Sequence, residues 1–323
     1  MPAGEAAALQ VILREIAAGV RKAALKGPAR RDAHPKAHGC VRAQFRVLDS
    51  LPAALRVGLF SEPQTYQAWV RFSNGSGTPQ PDRLGDGRGM AVKLMGVSQS
   101  RSKTQDLIMI NNPVFFVRNA VDYVDFQRAV PQWRFFLPGW NPFRIRLHEF
   151  FVAYAITSRT TLNPLASRYW SMTPYLFGDT QFKFSARPAG PASPFMATDS
   201  QDFLHDNLAR HLAGLNAEFD FMAQLRGKPG AMPIEDPTIE WSETDAPFVP
   251  VARITIPAQD FDQPSQRALG EALSFTPWHG LDAHRPLGGI NRVRRTVYET
   301  ISSLRHELNG VARHEPTEFS TPA

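Results

Sequence analysis

Cysteine is almost missing from this sequence, since Cys40 is the only one among 323 residues. One thiol excludes a disulfide within the chain, and a reducing cytoplasm is then the default expectation for where the protein works. Long apolar runs are missing too, because no stretch reaches the roughly 18 uninterrupted apolar residues expected of a membrane-spanning helix. The sequence therefore predicts a cytoplasmic protein without stable membrane insertion.

Acidic residues are too few to balance the basic ones, and the formal net charge is +6. Three interpretations are open: a basic solvated surface, a nucleic-acid-binding surface, or buried arginines that neutralise an anionic cofactor. Dense Lys/Arg runs with interleaved aromatic residues are missing, so we expect no nucleic-acid partner. The apolar share of 43% suits a globular protein with a sizeable core.

Hydrophobic spacing divides the chain into helices and strands. Residues 1–27 predict an amphipathic helix, and the charges inside its apolar stretch are unlike those of a signal peptide. Alternating segments predict strands at 40–60, 64–74, 88–97, 106–117, 181–188 and 249–257. Helical spacing predicts helices at 202–225, at 291–310 and within the aromatic segment 133–163 after Pro142. Antiparallel strands combined with helices in this way indicate an α+β fold.

The last predicted helix carries Arg294, Tyr298 and Arg305 on one face, because their spacings of four and seven residues match helical turns. A phenol is a poor metal ligand until it loses its proton, which in water needs a pH near 10. A neighbouring arginine and a bound Fe(III) both favour the phenolate. On its own, R-x-x-x-Y is a weak signal, and a surface arginine beside a packed tyrosine explains it equally.

A second cluster, RDAHPKAHG, spans residues 31–39. A neutral imidazole such as that of His34 can take a proton from one oxygen of a peroxide and return it to the departing oxygen. His38 is a second candidate base or ligand. Structural hydrogen bonds in a loop are the alternative interpretation for both histidines.

Three further clusters precede residue 120: WVRFSNGSG at 69–77, DGRGMAVKLMG at 86–96 and DLIMINNPVFFVRN at 106–119. The glycines Gly85, Gly87 and Gly89 raise the possibility of a phosphate loop. The order is not strand, G-x-G-x-x-G, helix, however, so a dinucleotide site is only weakly indicated.

Together these clusters resemble the motifs of haem catalases in the order in which that family has them. The family carries R-x-x-H-x-K, V-R-F-S, R-G-x-A-V-K, N-x-P-x-F-F and a late R-x-x-x-Y followed by an arginine seven residues on. The matching positions are Arg31/His34/Lys36, Val70–Ser73, Arg88–Lys93, Asn111–Phe116, Arg294/Tyr298 and Arg305. The resemblance implies a catalase-like antiparallel β-barrel with surrounding helices, and haem b between the barrel and the C-terminal helix. It divides the chain into an N-terminal helix (1–27), a haem-binding domain (28–309) and a polar tail (310–323).

The resemblance also implies a role for each matching residue. Tyr298 would ligate the haem iron as a phenolate held by Arg294, and His34 with Ser73 would handle the protons of the peroxide. The propionate-binding arginines and the distal-wall phenylalanines would be Arg31, Arg71, Arg305, Phe115 and Phe116. One departure concerns the distal catalytic amide, because Ile110 stands at its position in an ungapped alignment. Either Asn111 serves instead or the amide is missing.

The chain is also shorter than typical catalases, so it resembles a minimal catalase-related peroxidase. We expect it to reduce hydrogen peroxide or organic hydroperoxides through a ferryl intermediate, with a small organic molecule as the reductant. A homo-oligomer is one of the assembly states that the resemblance allows. A hydroperoxide isomerase or lyase, similar to allene oxide synthase and acting on fatty-acid hydroperoxides, is a second hypothesis. In that case segment 133–163 would line a lipid entrance. A haem carrier or sensor without turnover is the third.

Overall fold

The computed structural model describes residues 2–190, 197–313 and 315–320. Within these residues nine strands form one antiparallel sheet. Their bounds are β1 Ala37–Val47, β2 Thr65–Asn74, β3 Arg88–Met95, β4 Thr104–Ile110, β5 Tyr169–Trp170, β6 Tyr175–Phe177, β7 Thr180–Pro188, β8 Ala217–Leu225 and β9 Val249–Ile256.

The sheet closes on itself into a barrel. Its strand order is β5-β4-β3-β2-β1-β9-β8-β7, and a further pairing of β5 with β7 joins the two ends into a ring of eight. The short β6 pairs with β7 outside this ring. Because side chains alternate along each strand, every second residue points into the barrel, where apolar side chains such as Val70, Phe72, Val92 and Phe219 form one core.

Six α-helices surround the barrel in the described part of the chain. They are α1 Glu5–Ala24, α2 Ala120–Arg128, α3 Leu147–Ser158, α4 Phe203–Leu212, α5 Pro264–Ala272 and α6 Gly289–Leu308. The helices α1, α2 and α6 share a second apolar cluster, in which Ile12 and Ile16 of α1 join Val297 and Ile301 of α6. None of the described helices is long and apolar enough to cross a membrane.

The predicted α+β fold, an antiparallel β-barrel with surrounding helices, is confirmed. The single helix predicted over 202–225 is wrong, because α4 ends at Leu212 and β8 begins at Ala217. A turn that contains Gly214 separates the two elements. Beyond it the spacing of apolar residues changes from three or four to two, so Phe219 and Phe221 enter the barrel core.

Two predicted strands are shorter in the structure. The strand predicted at 40–60 is β1, which ends at Val47, and short 3₁₀ turns follow it. The strand predicted at 106–117 ends at Ile110. Pro113 has no backbone N–H to donate, and the side chain of Asn112 donates to the carbonyl of Val114, so the chain turns there. The sequence analysis also did not predict α2 and α5.

The polar tail predicted at 310–323 packs back onto the domain where the structure describes it; residues 314 and 321–323 lie outside the described residues. The ring of Phe319 stacks on Trp69 of β2 at a centroid distance of 5.1 Å. Arg313 forms ion pairs with Glu299 of α6 and with Glu315. The aromatic contact and the ion pair with Glu299 therefore attach the described part of the tail to the domain, and the pair with Glu315 lies within the tail.

One buried ion pair offers a test of the packing on the outer side of the barrel. Lys93 of β3 donates to both carboxylate oxygens of Asp106 on β4, at 2.8 and 2.9 Å, and both side chains are fully buried. Lys93→Met would remove the lysine partner of the buried Asp106 and leave only His279 and the backbone N–H of Thr276 beside that carboxylate. We expect it to lower the free energy of unfolding by about 3–5 kcal/mol in chemical denaturation. Arg187→Met, at the more exposed pair with Asp220, is the control and should cost less than about 1 kcal/mol. Equal effects of the two substitutions would contradict this prediction.

Candidate active site

A cavity of about 920 Å³, counting the space that opens to solvent, lies between the barrel and α6. Its walls come from residues 31–34, from the outer faces of β2, β3 and β4, from residues 274–276 and from α6, and Arg313 of the tail also lines it.

The cavity brings together six of the residues that the sequence analysis assigned to one site. Segments that are far apart in the chain supply them, in the order Arg31, His34, Arg71, Ser73, Tyr298 and Arg305. Barrel alternation accounts for two of them, because the apolar neighbours Val70 and Phe72 point inwards and so turn Arg71 and Ser73 outwards. Tyr298 and Arg305 reach the cavity from α6.

The other predicted site residues do not line this cavity. Arg294 is buried on α6, where Nη1 donates to the side-chain oxygen of Asn291 at 3.4 Å and the guanidinium lies 5.5 Å from the ring centroid of Phe115. Phe115 and Phe116 contact each other at 4.8 Å and pack in a separate apolar cluster. The roles assigned to these three residues stay predictions.

Asn111 and His38 are engaged elsewhere. The side-chain oxygen of Asn111 accepts a hydrogen bond from the backbone N–H of Arg88 at 2.8 Å. His38 is buried, with Nε2 2.8 Å from the side-chain oxygen of Asn74. Burial is the main reason why the pKa of His38 is lowered to about 3. The structural interpretation therefore fits His38, and the choice between Asn111 and a missing amide stays open.

His34 lies against the barrel wall with an unusual backbone. Its φ of 61° is in the left-handed region, which costs free energy for a residue other than glycine. Nδ1 lies 3.0 Å from the hydroxyl oxygen of Ser73, and the carbonyl of His34 accepts a hydrogen bond from Arg71 at 2.9 Å. These two contacts to β2 fix the imidazole ring.

The imidazole of His34 is neutral over the physiological range. Burial, followed by the positive charges of Arg71, Arg294 and Arg31, lowers its pKa from 6.5 to about 3. A neutral imidazole with one nitrogen bound to a hydroxyl keeps the other nitrogen for proton transfer. This protonation state suits a group that accepts a proton from a bound substrate.

Three arginines of the cavity, Arg31, Arg71 and Arg305, converge on the carboxylate of Glu271. We call these four residues the arginine cluster. The closest N···O distances to Glu271 are 3.0, 3.6 and 3.9 Å, respectively. Three positive charges face one negative charge. Two further negative charges would therefore balance the charge of the cluster.

The electrostatics of the arginine cluster agree with that excess of positive charge. Burial, and then the charge of Arg31, lower the pKa of Arg71 to about 9 and that of Arg305 to about 10. Burial of Glu271 opposes its ionisation, but the three arginines outweigh this and its pKa is lowered. An incoming dianion would relieve the repulsion between the guanidinium groups.

The sequence analysis missed three residues of this region. Glu271 lies at the end of α5, a helix that was not predicted, so nothing along the chain pointed to it. Gly89 was considered only as part of a phosphate loop, but a Cβ there would lie 2.7 Å from two ring atoms of His34. Tyr175 is buried, and its hydroxyl has no hydrogen-bond partner among the described residues. Burial is the main reason why the pKa of Tyr175 is raised to about 12, and the charge of Arg294 acts against it.

The fold is a closed eight-stranded barrel with helices around it, and an arginine-lined cavity lies between the barrel and α6. Residues 25–133 match the family model described as catalase. Over 276 residues the chain is 26% identical to a catalase-related peroxidase of Mycolicibacterium paratuberculosis, covering 78% of this chain and 82% of that protein. By these matches the chain is similar to catalases and to a catalase-related peroxidase.

Solved structures of catalases share the fold. Catalase A from Saccharomyces cerevisiae superposes with a TM-score of 0.71 at 16% identity, covering 94% of this chain and 67% of that one. A bacterial catalase superposes with a TM-score of 0.63 at 15% identity, covering 87% of this chain and 58% of that one. The chain thus spans about three fifths to two thirds of the length of these catalases.

The contact between Gly89 and His34 gives a first prediction for the site. Gly89→Ala would push a methyl group into the imidazole of His34 and the hydroxyl of Ser73, so the ring must move. We expect a loss of about 1–3 kcal/mol in the free energy of unfolding and a changed NMR signal of the His34 ring. Gly214→Ala is the control, because a Cβ there meets nothing within 4 Å. An unchanged His34 signal in Gly89→Ala would contradict the placement of the ring.

The lowered pKa of His34 predicts how stability depends on pH. Between about pH 6.5 and pH 3 the unfolded chain binds a proton at this residue and the folded chain does not, so this contribution to stability is lost as the pH falls. In His34→Gln, denaturation between about pH 6 and pH 4 should show a slope shallower by up to about 1.4 kcal/mol per pH unit. The same slope in both proteins would show that His34 is charged in the folded state.

Proposed function

We propose that the chain is a haem-dependent peroxidase of catalase type that binds haem b in this cavity, with Tyr298 as the ligand of the iron. Its substrates are hydrogen peroxide or organic hydroperoxides, and a small organic molecule is the reductant. One observation carries the proposal: His34, Ser73, Tyr298 and the three arginines of the arginine cluster line the same cavity.

The donor set of the cavity fits haem b. The arginine cluster has two positive charges in excess, and haem b carries two propionates. Tyr298 supplies a phenol oxygen, and tyrosine is the haem ligand of catalases. The remaining wall includes apolar side chains such as Ala91, Ile108 and Val297, as expected where a macrocycle packs. Arg31, Arg71 and Arg305 would hold the propionates.

Haem, when bound, would supply the redox centre that passes electrons from the organic donor to the peroxide. The residues of the chain supply proton transfer and orientation. With its proton on Nδ1 and donated to the hydroxyl of Ser73, His34 presents an unprotonated Nε2 that accepts the proton of a peroxide and can return it to the departing oxygen. Arg294 lies one helical turn before Tyr298 and would be the positive charge nearest to it along α6.

The distal amide is the reason for placing peroxidase above catalase activity. Ile110 stands where catalases have the amide, and the side-chain oxygen of Asn111 is engaged by the backbone of β3. If the distal amide is missing, a second molecule of hydrogen peroxide is oriented less well beside His34. Organic donors do not need that group, so donor oxidation should exceed oxygen release.

Two substitutions test the assignment of the haem site. Haem-loaded wild-type protein should show the absorption spectrum of a high-spin ferric tyrosinate haem, and Tyr298→Phe should lose it. Tyr154→Phe is the control, because Tyr154 is exposed on α3. His34→Gln should keep the spectrum and consume peroxide about 10²–10⁴ times more slowly. An unchanged spectrum in Tyr298→Phe would exclude this residue as the ligand.

Product analysis separates the proposed activity from its alternatives. With a fatty-acid hydroperoxide, the proposed peroxidase yields the alcohol and needs a donor, whereas an isomerase or lyase yields epoxides or aldehydes without one. The lipid-entrance hypothesis has no support in the cavity, since none of the residues that line it belongs to segment 133–163. Haem binding without any peroxide consumption would identify a carrier or sensor and reject the enzyme.

A further inference from the structure

A group of large apolar side chains stands exposed on α3 and on the turns that lead into it. We call this surface the aromatic face. The exposed fractions are 96% for Phe143, 67% for Trp140, 62% for Phe151 and 61% for Tyr154. The other members of the aromatic face are Trp133, Leu147 and Phe150. Soluble domains rarely expose so many neighbouring apolar groups unless the surface binds something.

The aromatic face is a connected and anchored surface. The rings of Trp133 and Trp140 contact each other at 5.0 Å, and Phe150 contacts both Phe151 and Tyr154. Arg146 ties the segment to the body of the protein, because its guanidinium lies 4.2 Å from the ring centroid of Phe135 and donates to Asp125 at 2.8 Å. The exposed rings therefore project from turns that the domain holds in place.

The exposed charges of the segment that carries the aromatic face have one sign, and the exposed Asp125 beside it is paired with Arg146. Among residues 131–160, the exposed side chains with a full charge are Arg134, Arg144 and Arg159. The only acidic residue of this segment, Glu149, is buried and forms an ion pair with Arg118 at 3.1 Å. A partner for this surface must accept apolar side chains at its centre and neutralise arginines beside them.

An anionic lipid bilayer has both properties. Tryptophan and tyrosine favour the level of the headgroups, phenylalanine and leucine favour the acyl boundary, and anionic headgroups attract arginine. A second copy of the chain fits less well, because a symmetric contact sets each face against itself and the face offers no exposed acidic side chain to pair with Arg134 and Arg144.

We propose that the aromatic face docks the protein on the surface of membranes that contain anionic lipids. The 12 residues of α3 are too few to span a bilayer, so the contact is peripheral. The helix α3 lies against the part of β3 that faces His34. A Cβ on Gly87 would lie 3.1 Å from Ile156 of α3, and a Cβ on Gly89, two residues further on, would lie 2.7 Å from the ring of His34. If the proposed function holds, hydroperoxides of membrane lipids are substrates within reach, but the docking does not depend on it.

Flotation of the full chain with lipid vesicles tests the docking. Vesicles of phosphatidylcholine with admixed phosphatidylglycerol should bind the protein, and pure phosphatidylcholine should bind it more weakly. The combined variant Trp140→Ser, Phe143→Ser, Phe151→Ser should bind at least about tenfold more weakly. The control variant Leu25→Ser, Leu215→Ser, Val311→Ser removes three exposed apolar side chains elsewhere and should bind like the wild type.

A second variant keeps the test decisive if the triple substitution disturbs folding. Arg134→Gln with Arg144→Gln leaves the apolar side chains in place, and it should lower binding to the anionic vesicles while binding to pure phosphatidylcholine is retained. No binding of the wild type to either vesicle would overturn the proposal, as would equal binding by the wild type and both face variants. A dimer in light scattering that the aromatic-face variant alone makes monomeric would also overturn it, in favour of a contact between copies.

Discussion

The strict alternation of side chains in a closed barrel is the constraint on which the rest of this structure depends. Because β2 points Val70 and Phe72 inwards, it must point Arg71 and Ser73 outwards. The same rule turns Gly89 of β3 to the outside, where the missing side chain leaves room for His34. The core and the cavity therefore use alternate residues of the same strands, and a change of register in one would disrupt the other.

Charge is the second constraint on the cavity. Two partly desolvated arginines with lowered pKa values are costly to fold, and Glu271 compensates only part of this cost. The arginine cluster therefore lowers the stability of the fold at the site that we propose to bind an anionic group. Burial, and then the charges of Arg71, Arg294 and Arg31, lower the pKa of His34, so the proposed cofactor site also sets the protonation state of the residue that we propose to handle peroxide.

Local patterns along the chain were sufficient to predict the class of fold, and the resemblance to haem catalases pointed to six of the cavity residues. They failed where two elements share one apolar stretch, as at 202–225, because helical and strand periods cannot be separated across an unrecognised turn. They also left α5 unpredicted, and with it Glu271. The roles of Arg294, Phe115 and Phe116 came from the resemblance alone, and these residues lie beside the cavity and not in its wall.

The sequence by itself determined the barrel strands, the amphipathic α1 and α6, and the spacing that sets Arg294, Tyr298 and Arg305 on one helix, since each depends on neighbours within a few residues. Only the tertiary structure decided that Glu271 sits among three arginines from distant segments, that Gly89 must lack a side chain, and that the rings of the aromatic face stay exposed. These features depend on which surfaces meet when the barrel closes and the helices pack against it. No local pattern of residues encodes such contacts.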